Sequence, residues 1–254
     1  MNMRIIIGIV IFLLGFNTPS FAKEGKSIAI AASSSIQEPL KVICEKFAEA
    51  TSYQCHVLSS STGHLYAQIM HGANYDLLIS SDEAYSQGLI KADKAHDENR
   101  FIVARCRIVL WSKDETLDVE SLKMKLIDAN STVVISNPGS TPYGLAAKEI
   151  LQGCNLWRSL QGRLIYGRSF GETYKILSEK QSLIGFVSLA QLSEEERKTG
   201  RYWEPDLQMY HPVSHELIVL NSATHKGSVR AFIAFLHTKA ACEVLHQAGY
   251  QCGA

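Results

Sequence analysis

The chain has 254 residues, 46% of them hydrophobic, with 25 basic and 25 acidic side chains. That length suits one large domain or two of ordinary size. A formal net charge of zero argues against a nucleic-acid binder, which carries a basic excess; it leaves room for an anion binder, whose site can use backbone N–H groups instead of cations.

The chain opens as an export address. Arg4 precedes an uninterrupted apolar run at 5–15, Asn17-Thr18-Pro19 breaks it, and Ser20-Phe21-Ala22 supplies small residues where a signal peptidase reads. Residues 1–22 are therefore expected to be a signal peptide cleaved after Ala22. The run falls short of the roughly 20 apolar residues of a spanning helix. No lipobox cysteine follows, so a free mature protein is expected.

Residues 27–32 alternate as a buried strand, and Ser33-Ser34-Ser35 follows at once. Ile36, Leu40, Ile43 and Phe47 then recur at helical spacing. Serine is a preferred N-cap, and Pro39 fits only the first turn, so the helix should begin near 36–38. The pattern repeats: a strand at 54–58, the turn Ser59-Ser60-Ser61-Thr62-Gly63, and a helix carrying Leu65 and Ile69. A third strand at 75–80 leads to a helix capped by Ser81-Asp82. Residues 101–111 read as one strand. Alternation then resumes with strands at 132–135, 164–166 and 183–187, helices at 144–151 and from 172, and a short helical turn at 189–192. Residues 200–211 read as irregular, 215–220 as a strand running back, and 229–236 and 240–246 as closing helices. Such alternation implies an α/β chain with largely parallel sheets. The breaks fall near 103–107 and 210–214, giving two lobes joined by paired β-strand hinges: 23–104 with 211–254, and 105–210.

Six cysteines follow the leader, with no C-x-x-C pair and no zinc spacing. An even count in an exported chain suggests disulfides, and six cysteines allow 15 pairings. The local pairs Cys44–Cys55 and Cys242–Cys252 are expected, each tying a helix to the segment after it. His211, His215 and His225 show no metal-pair spacing, and Trp111, Trp157 and Trp203 read as core or lobe surface.

Four strand-to-helix turns carry hydroxyls or glycine: Ser33-Ser34-Ser35, Ser60-Ser61-Thr62-Gly63, Ser140-Thr141-Pro142-Tyr143-Gly144 and Arg168-Ser169-Phe170-Gly171. Two lie in each half. Taken singly, each reads as ordinary capping. As a matched set beyond the carboxyl ends of strands, they place four helix N-termini around one point. Each N-terminus offers unpaired N–H groups and a partial positive charge.

These residues carry a family resemblance. Ser60 to Ile69 with Gly72-Ala73 and Asp76 to Asp82, Asn137-Pro138 with Thr141 to Glu149, Ile184 to Ser188, and Ala240 to Tyr250 resemble the periplasmic molybdate-binding proteins. Those are soluble receptors of an ABC transporter for molybdate and tungstate. The resemblance covers about 27–250. It implies a two-lobed binding-protein fold of the type II kind and no catalytic activity. It implies a monomer that takes up a small oxyanion and meets a membrane permease, needs no cofactor and binds no nucleic acid. Molybdenum would be held only as the oxyanion.

Residue by residue, the resemblance places hydroxyl contacts on Ser35, with Ser34 beside it, and on Thr62, with Ser61 beside it. It places backbone N–H contacts on Tyr143 and Phe170. Phe170 stands where relatives usually have valine, and Ser188 stands where some carry a tyrosine hydroxyl. His64, where relatives often carry lysine, reads as an exposed helix residue. Seven or so neutral donors would satisfy a dianion without any cation. A donor-only site rejects protonated phosphate, and discrimination against sulfate falls to cavity size. The rival readings are a receptor for sulfate, phosphate or another small anion, a sensor or adhesin on the same fold, and a hydrolytic enzyme. The chain shows no H-E-x-x-H.

Overall fold

The computed structural model describes residues 27–223 and 226–253. The expected leader at 1–22, its cleavage point and His225 lie outside the described residues.

The first sheet begins with β1 (Ser27–Ser33), followed by a 3-10 turn at Ser34–Ile36 and α1 (Gln37–Ala50). Next come β2 (Gln54–Ser60), α2 (Thr62–Met70), β3 (Leu77–Ser80), α3 (Glu83–Lys91) and the long β4 (Ala95–Cys106). The chain then moves to a second sheet with β5 (Ile108–Trp111). There it forms α4 (Val119–Ile127), β6 (Val133–Ser136), α5 (Pro142–Gly153), α6 (Trp157–Leu160), β7 (Leu164–Gly167), α7 (Phe170–Glu179), β8 (Ile184–Ser188), α8 (Glu194–Thr199) and β9 (Tyr202–Trp203). It returns through β10 (Ser214–Leu220), α9 (Lys226–Leu236), α10 (Lys239–Gln247) and β11 (Tyr250–Cys252).

The first sheet is ordered β11-β4-β10-β3-β1-β2 and the second β7-β6-β8-β5-β9. In each, the βα units pair in parallel: β1 with β2 and β3, β6 with β7 and β8. The strands next to the crossings, β4, β5, β9 and β10, pair antiparallel. Parallel strands are covered on both faces, which is why β1, β3, β6 and β8 are nearly all apolar. Ile28, Ile30 and Ala32 face α1, α9 and α10, while Ala31 faces the cluster of Leu65, Ile69 and Leu89. The second sheet is covered likewise, by α5 on one face and by Leu177 of α7 on the other.

The stretch 101–111, which reads as one strand, is two, and they belong to different sheets. Arg107 is the break. Its carbonyl accepts the Leu189 N–H at 2.8 Å, and its guanidinium forks onto Glu204 at 2.6 and 2.5 Å. Beside it, Cys106 N–H donates to Val213 O at 2.8 Å and Ile108 N–H to the Tyr210 hydroxyl at 3.2 Å. The two crossings are thus bonded to each other.

Three helices and two short strands have no counterpart in the sequence pattern. Helix α8 buries no residue, so its Glu194-Glu195-Glu196-Arg197 run shows no apolar period; a capping box of Ser193 and Glu196 fixes it instead. Helix α4 buries only Leu122 and Leu126 and leaves Met124 and Ile127 exposed, which blurs its stripe. The four-residue α6 and the edge strands β9 and β11 are too short to show a period.

Of the two expected disulfides, Cys242–Cys252 is formed, tying α10 to β11. Cys44 and Cys55 are instead free thiols that face each other across α1 and β2, and the hydrogen bond to Cys55 pushes the Cys44 thiol up.

Candidate ligand-binding site between the lobes

The site is built from strand ends. Parallel register sets Ser33 of β1 beside Ser60 of β2, and Ser136 of β6 beside Gly167 of β7. Each strand leads through a turn into a helical start, so Ser34-Ser35 and Ser61-Thr62 emerge side by side from the first lobe. Pro142-Tyr143 and Phe170 emerge side by side from the second. Three of the four turns use a hydroxyl as a cap: Ser61 accepts from His64 N–H, Thr141 from Gly144 N–H at 2.9 Å, and Ser169 from Glu172 N–H. Tyr143 and Phe170 lie in the first turns of their helices, among the N–H groups that a helix leaves unpaired.

The first turn departs from the capping expectation. No serine hydroxyl caps the 3-10 turn or α1. Ser33 and Ser35 bond to each other at 2.8 Å, and Ser35 Oγ lies 2.8 Å from His215 Nε2. Ser34 is exposed.

Across the junction, the buried Tyr143 hydroxyl reaches Cys106 Sγ at 3.4 Å and the Ser35 side chain. Its ring packs on Phe170 with centroids 4.3 Å apart. The Phe170 carbonyl accepts from Gln191 Nε2 at 2.9 Å. Ser35, Tyr143 and Phe170 therefore form one continuous group spanning both lobes. Thr62 is buried at the neighbouring strand end, its Oγ1 3.2 Å from Ser81 Oγ and accepting from Ser81 N–H at 3.3 Å. Ser61 is exposed, and strand register rather than direct contact sets Ser61 and Thr62 beside the group. Ser188 is buried and reaches the Cys106 thiol. His64 is exposed and bonds to Gln68 at 3.0 Å.

Three members escape the sequence pattern. His215 and Cys106 are completely buried beneath Ser35, and the Tyr250 hydroxyl donates to the Ser35 carbonyl. No spacing marks them, because they come from β10, β4 and β11 and meet only when the last strand closes the sheet.

The buried group is electrically neutral. Burial holds the His215 imidazole down to about 4 and pushes the Cys106 thiol up to about 12. It also raises the Tyr143 and Tyr250 phenols. None of these side chains is charged at neutral pH. Among the described residues, no cluster of three or more His, Cys, Asp or Glu could hold a metal ion. A cavity of about 210 Å³ opens beside this group, walled by Ser81, Asp82, Glu83 and Glu216 on one side and by Pro142 and Leu145 on the other; Ser34, Ser35, Ser61, Thr62, Tyr143 and Phe170 do not line it.

Two α/β lobes joined by a bonded double crossing, with helix starts from both facing one junction, define a two-lobed solute-binding protein. The chain belongs to the bacterial extracellular solute-binding protein family, whose model matches residues 28–251. It is 27% identical over 238 residues to the molybdate-binding protein ModA of Rhodobacter capsulatus, covering 94% of this chain and 92% of that one. It matches the solved structure of the Azotobacter vinelandii periplasmic molybdate-binding protein with a TM-score of 0.72 at 28% identity, covering 88% of this chain and 98% of that one. The substrate-binding domain of a Clostridium difficile molybdenum ABC transporter shares the fold, with a TM-score of 0.77 at 20% identity, covering 89% of this chain and 98% of that one. These relatives are named as binding proteins, and this chain is a binding protein, not an enzyme.

Proposed function

We propose that this protein captures molybdate or tungstate between its two lobes, 23–104 with 211–254 and 105–210, and hands the closed complex to the membrane permease of an ABC transporter. The observation that carries the reading is the cross-lobe group itself. Ser35 of the first lobe and Tyr143 of the second meet through uncharged donors, with helix starts on either side. Neutral N–H and O–H donors suit a small dianion that carries no proton, since a protonated oxyanion would need an acceptor. The oxyanion is cargo, held by Ser35, Thr62 and the Tyr143 and Phe170 N–H groups, with Ser34 and Ser61 flanking them; no resident cofactor is required. The similarity to periplasmic molybdate-binding proteins supports the choice of ligand and an exported receptor; a monomer released after Ala22 completes the proposal.

Calorimetric titration of the mature protein with molybdate, tungstate and sulfate tests the reading. Molybdate and tungstate are expected to bind at one site per chain, with sulfate far weaker. Sulfate binding as tight as molybdate would overturn the ligand, and no binding of any dianion would overturn the site.

A further inference from the structure

Beneath Ser35 runs a chain of polar side chains that oxyanion contact alone does not explain. His215 Nε2 lies 2.8 Å from Ser35 Oγ, and its Nδ1 lies 3.7 Å from Cys106 Sγ. Cys106 in turn meets the hydroxyls of Tyr143, at 3.4 Å, and Ser188. A β-bulge sets the imidazole there. His215 pairs with Ala104 and Glu216 with Ile102, so Val103 is left unopposed and its carbonyl accepts Gly253 N–H at 2.9 Å. The Tyr250 ring closes against the imidazole edge-on, with centroids 5.5 Å apart.

A neutral imidazole has one donor and one acceptor. Burial keeps His215 neutral and the Cys106 thiol protonated at neutral pH. The position of the single ring hydrogen then decides what Ser35 can do. With hydrogen on Nδ1, Nε2 takes the only Ser35 proton, and that hydroxyl has none left to give an anion. With hydrogen on Nε2, the imidazole fills one lone pair of Ser35 Oγ, and Ser33 fills the other when it donates the 2.8 Å bond between the two hydroxyls. The Ser35 proton then turns toward Tyr143 and the junction. Cys106 S–H donates to Nδ1, and the Tyr143 and Ser188 hydroxyls donate to the sulfur.

We propose that His215 is a positioning residue for the oxyanion: its Nε2–H donates to Ser35 Oγ and so commits the Ser35 hydrogen to the ligand. The proposal rests on the oxyanion reading above. A bound dianion favours this arrangement, because it turns the positive end of each successive dipole toward the negative charge. Tyr143 packs on the second sheet and Cys106 ends β4 of the first, so the relay is complete only where the two sheets meet. The donor at Ser35 is thereby set by closure.

The test reads the ring nitrogens of His215 by NMR in nitrogen-15-labelled protein loaded with molybdate, assigned by their loss in His215→Gln. A protonated Nε2 and bare Nδ1 are expected; a protonated Nδ1 overturns the proposal. Calorimetry is the second arm. His215→Leu is expected to lose about tenfold to a hundredfold in molybdate affinity, the scale of one misdirected bond to a charged ligand. His215→Gln, which keeps an N–H at the same place, recovers most of it. His215→Leu binding as tightly as wild type overturns the relay alone. Wild-type protein that binds no dianion overturns the oxyanion reading, and with it the relay.

Discussion

Thr62 is the residue whose role is easiest to isolate. Its Oγ1 accepts Ser81 N–H, so its own proton is directed either to Ser81 Oγ, 3.2 Å away, or to a ligand. Thr62→Ala removes one donor to a charged ligand, worth about 1.5–3 kcal/mol. Calorimetry should show molybdate affinity falling about tenfold or more, with an unchanged circular dichroism spectrum. His215 makes a second residue-scale prediction. Its folded value of about 4 lies below the ordinary 6.5, so the unfolded chain binds more protons between the two. Its contribution to stability is whole above about pH 6.5 and is lost as pH falls through about 4, amounting to about 3 kcal/mol. Urea unfolding across that window should show a steeper acid loss for wild type than for His215→Gln. Equal slopes would mean that the imidazole is not buried as described. At this scale, the turns that carry Thr62 and Tyr143 are legible in the sequence because each has its own punctuation, serine before one and Pro-Tyr-Gly around the other. His215 and Cys106 are not, because their meaning comes from a bulge and a strand closure that local pattern does not encode.

At the scale of elements, the site depends on how tightly each helix start is pressed to the strand before it. Gly144 shows this. A Cβ there would lie 2.6 Å from the Asn137 carbonyl carbon and would collide with the Ser136 carbonyl oxygen. Both are backbone groups that cannot swing aside. Gly144→Ala should therefore push the first turn of α5 off β6, moving the Tyr143 N–H. The expected result is a loss of about 1–3 kcal/mol in stability, the cost of overpacking, together with weakened molybdate binding. Denaturant melts and calorimetry on the same preparation would check both. Most elements are readable because their apolar periods are clean: Leu40, Ile43 and Phe47 bury one face of α1, and Leu65 and Ile69 one face of α2. The single strand expected at 101–111 is the instructive exception. Its apolar run continues unbroken through two sheets, and the break at Arg107 is made by distant partners, Glu204 and Leu189. The pairing of Cys44 with Cys55 is a milder case: proximity follows from α1 packing on β2, but the bond itself does not.

At the scale of the whole molecule, the proposed capture of an anion between the lobes couples binding to closure. A ligand held only by the closed form stabilises that form by mass action, by about 2.7 kcal/mol at a hundredfold excess over Kd. For a chain of this size, that is about 5–10 °C in Tm. A thermal scan with molybdate should show such a rise, and one with chloride should show none. The connection between the two sheets is double, and the Arg107–Glu204 ion pair ties its two segments together.

The same double hinge has a consequence for how such receptors diversify. Strands β5 and β9, the first and last of the second sheet, are hydrogen-bonded neighbours, with Leu110 opposite Trp203 and Trp111 opposite Tyr202. The stretch between the crossings is therefore a cassette whose two cut ends lie side by side. It carries Tyr143 and Phe170 with it and leaves Ser35 and Thr62 behind. If the anion is held as proposed, a graft made at that one seam would exchange half of its grip in a single step.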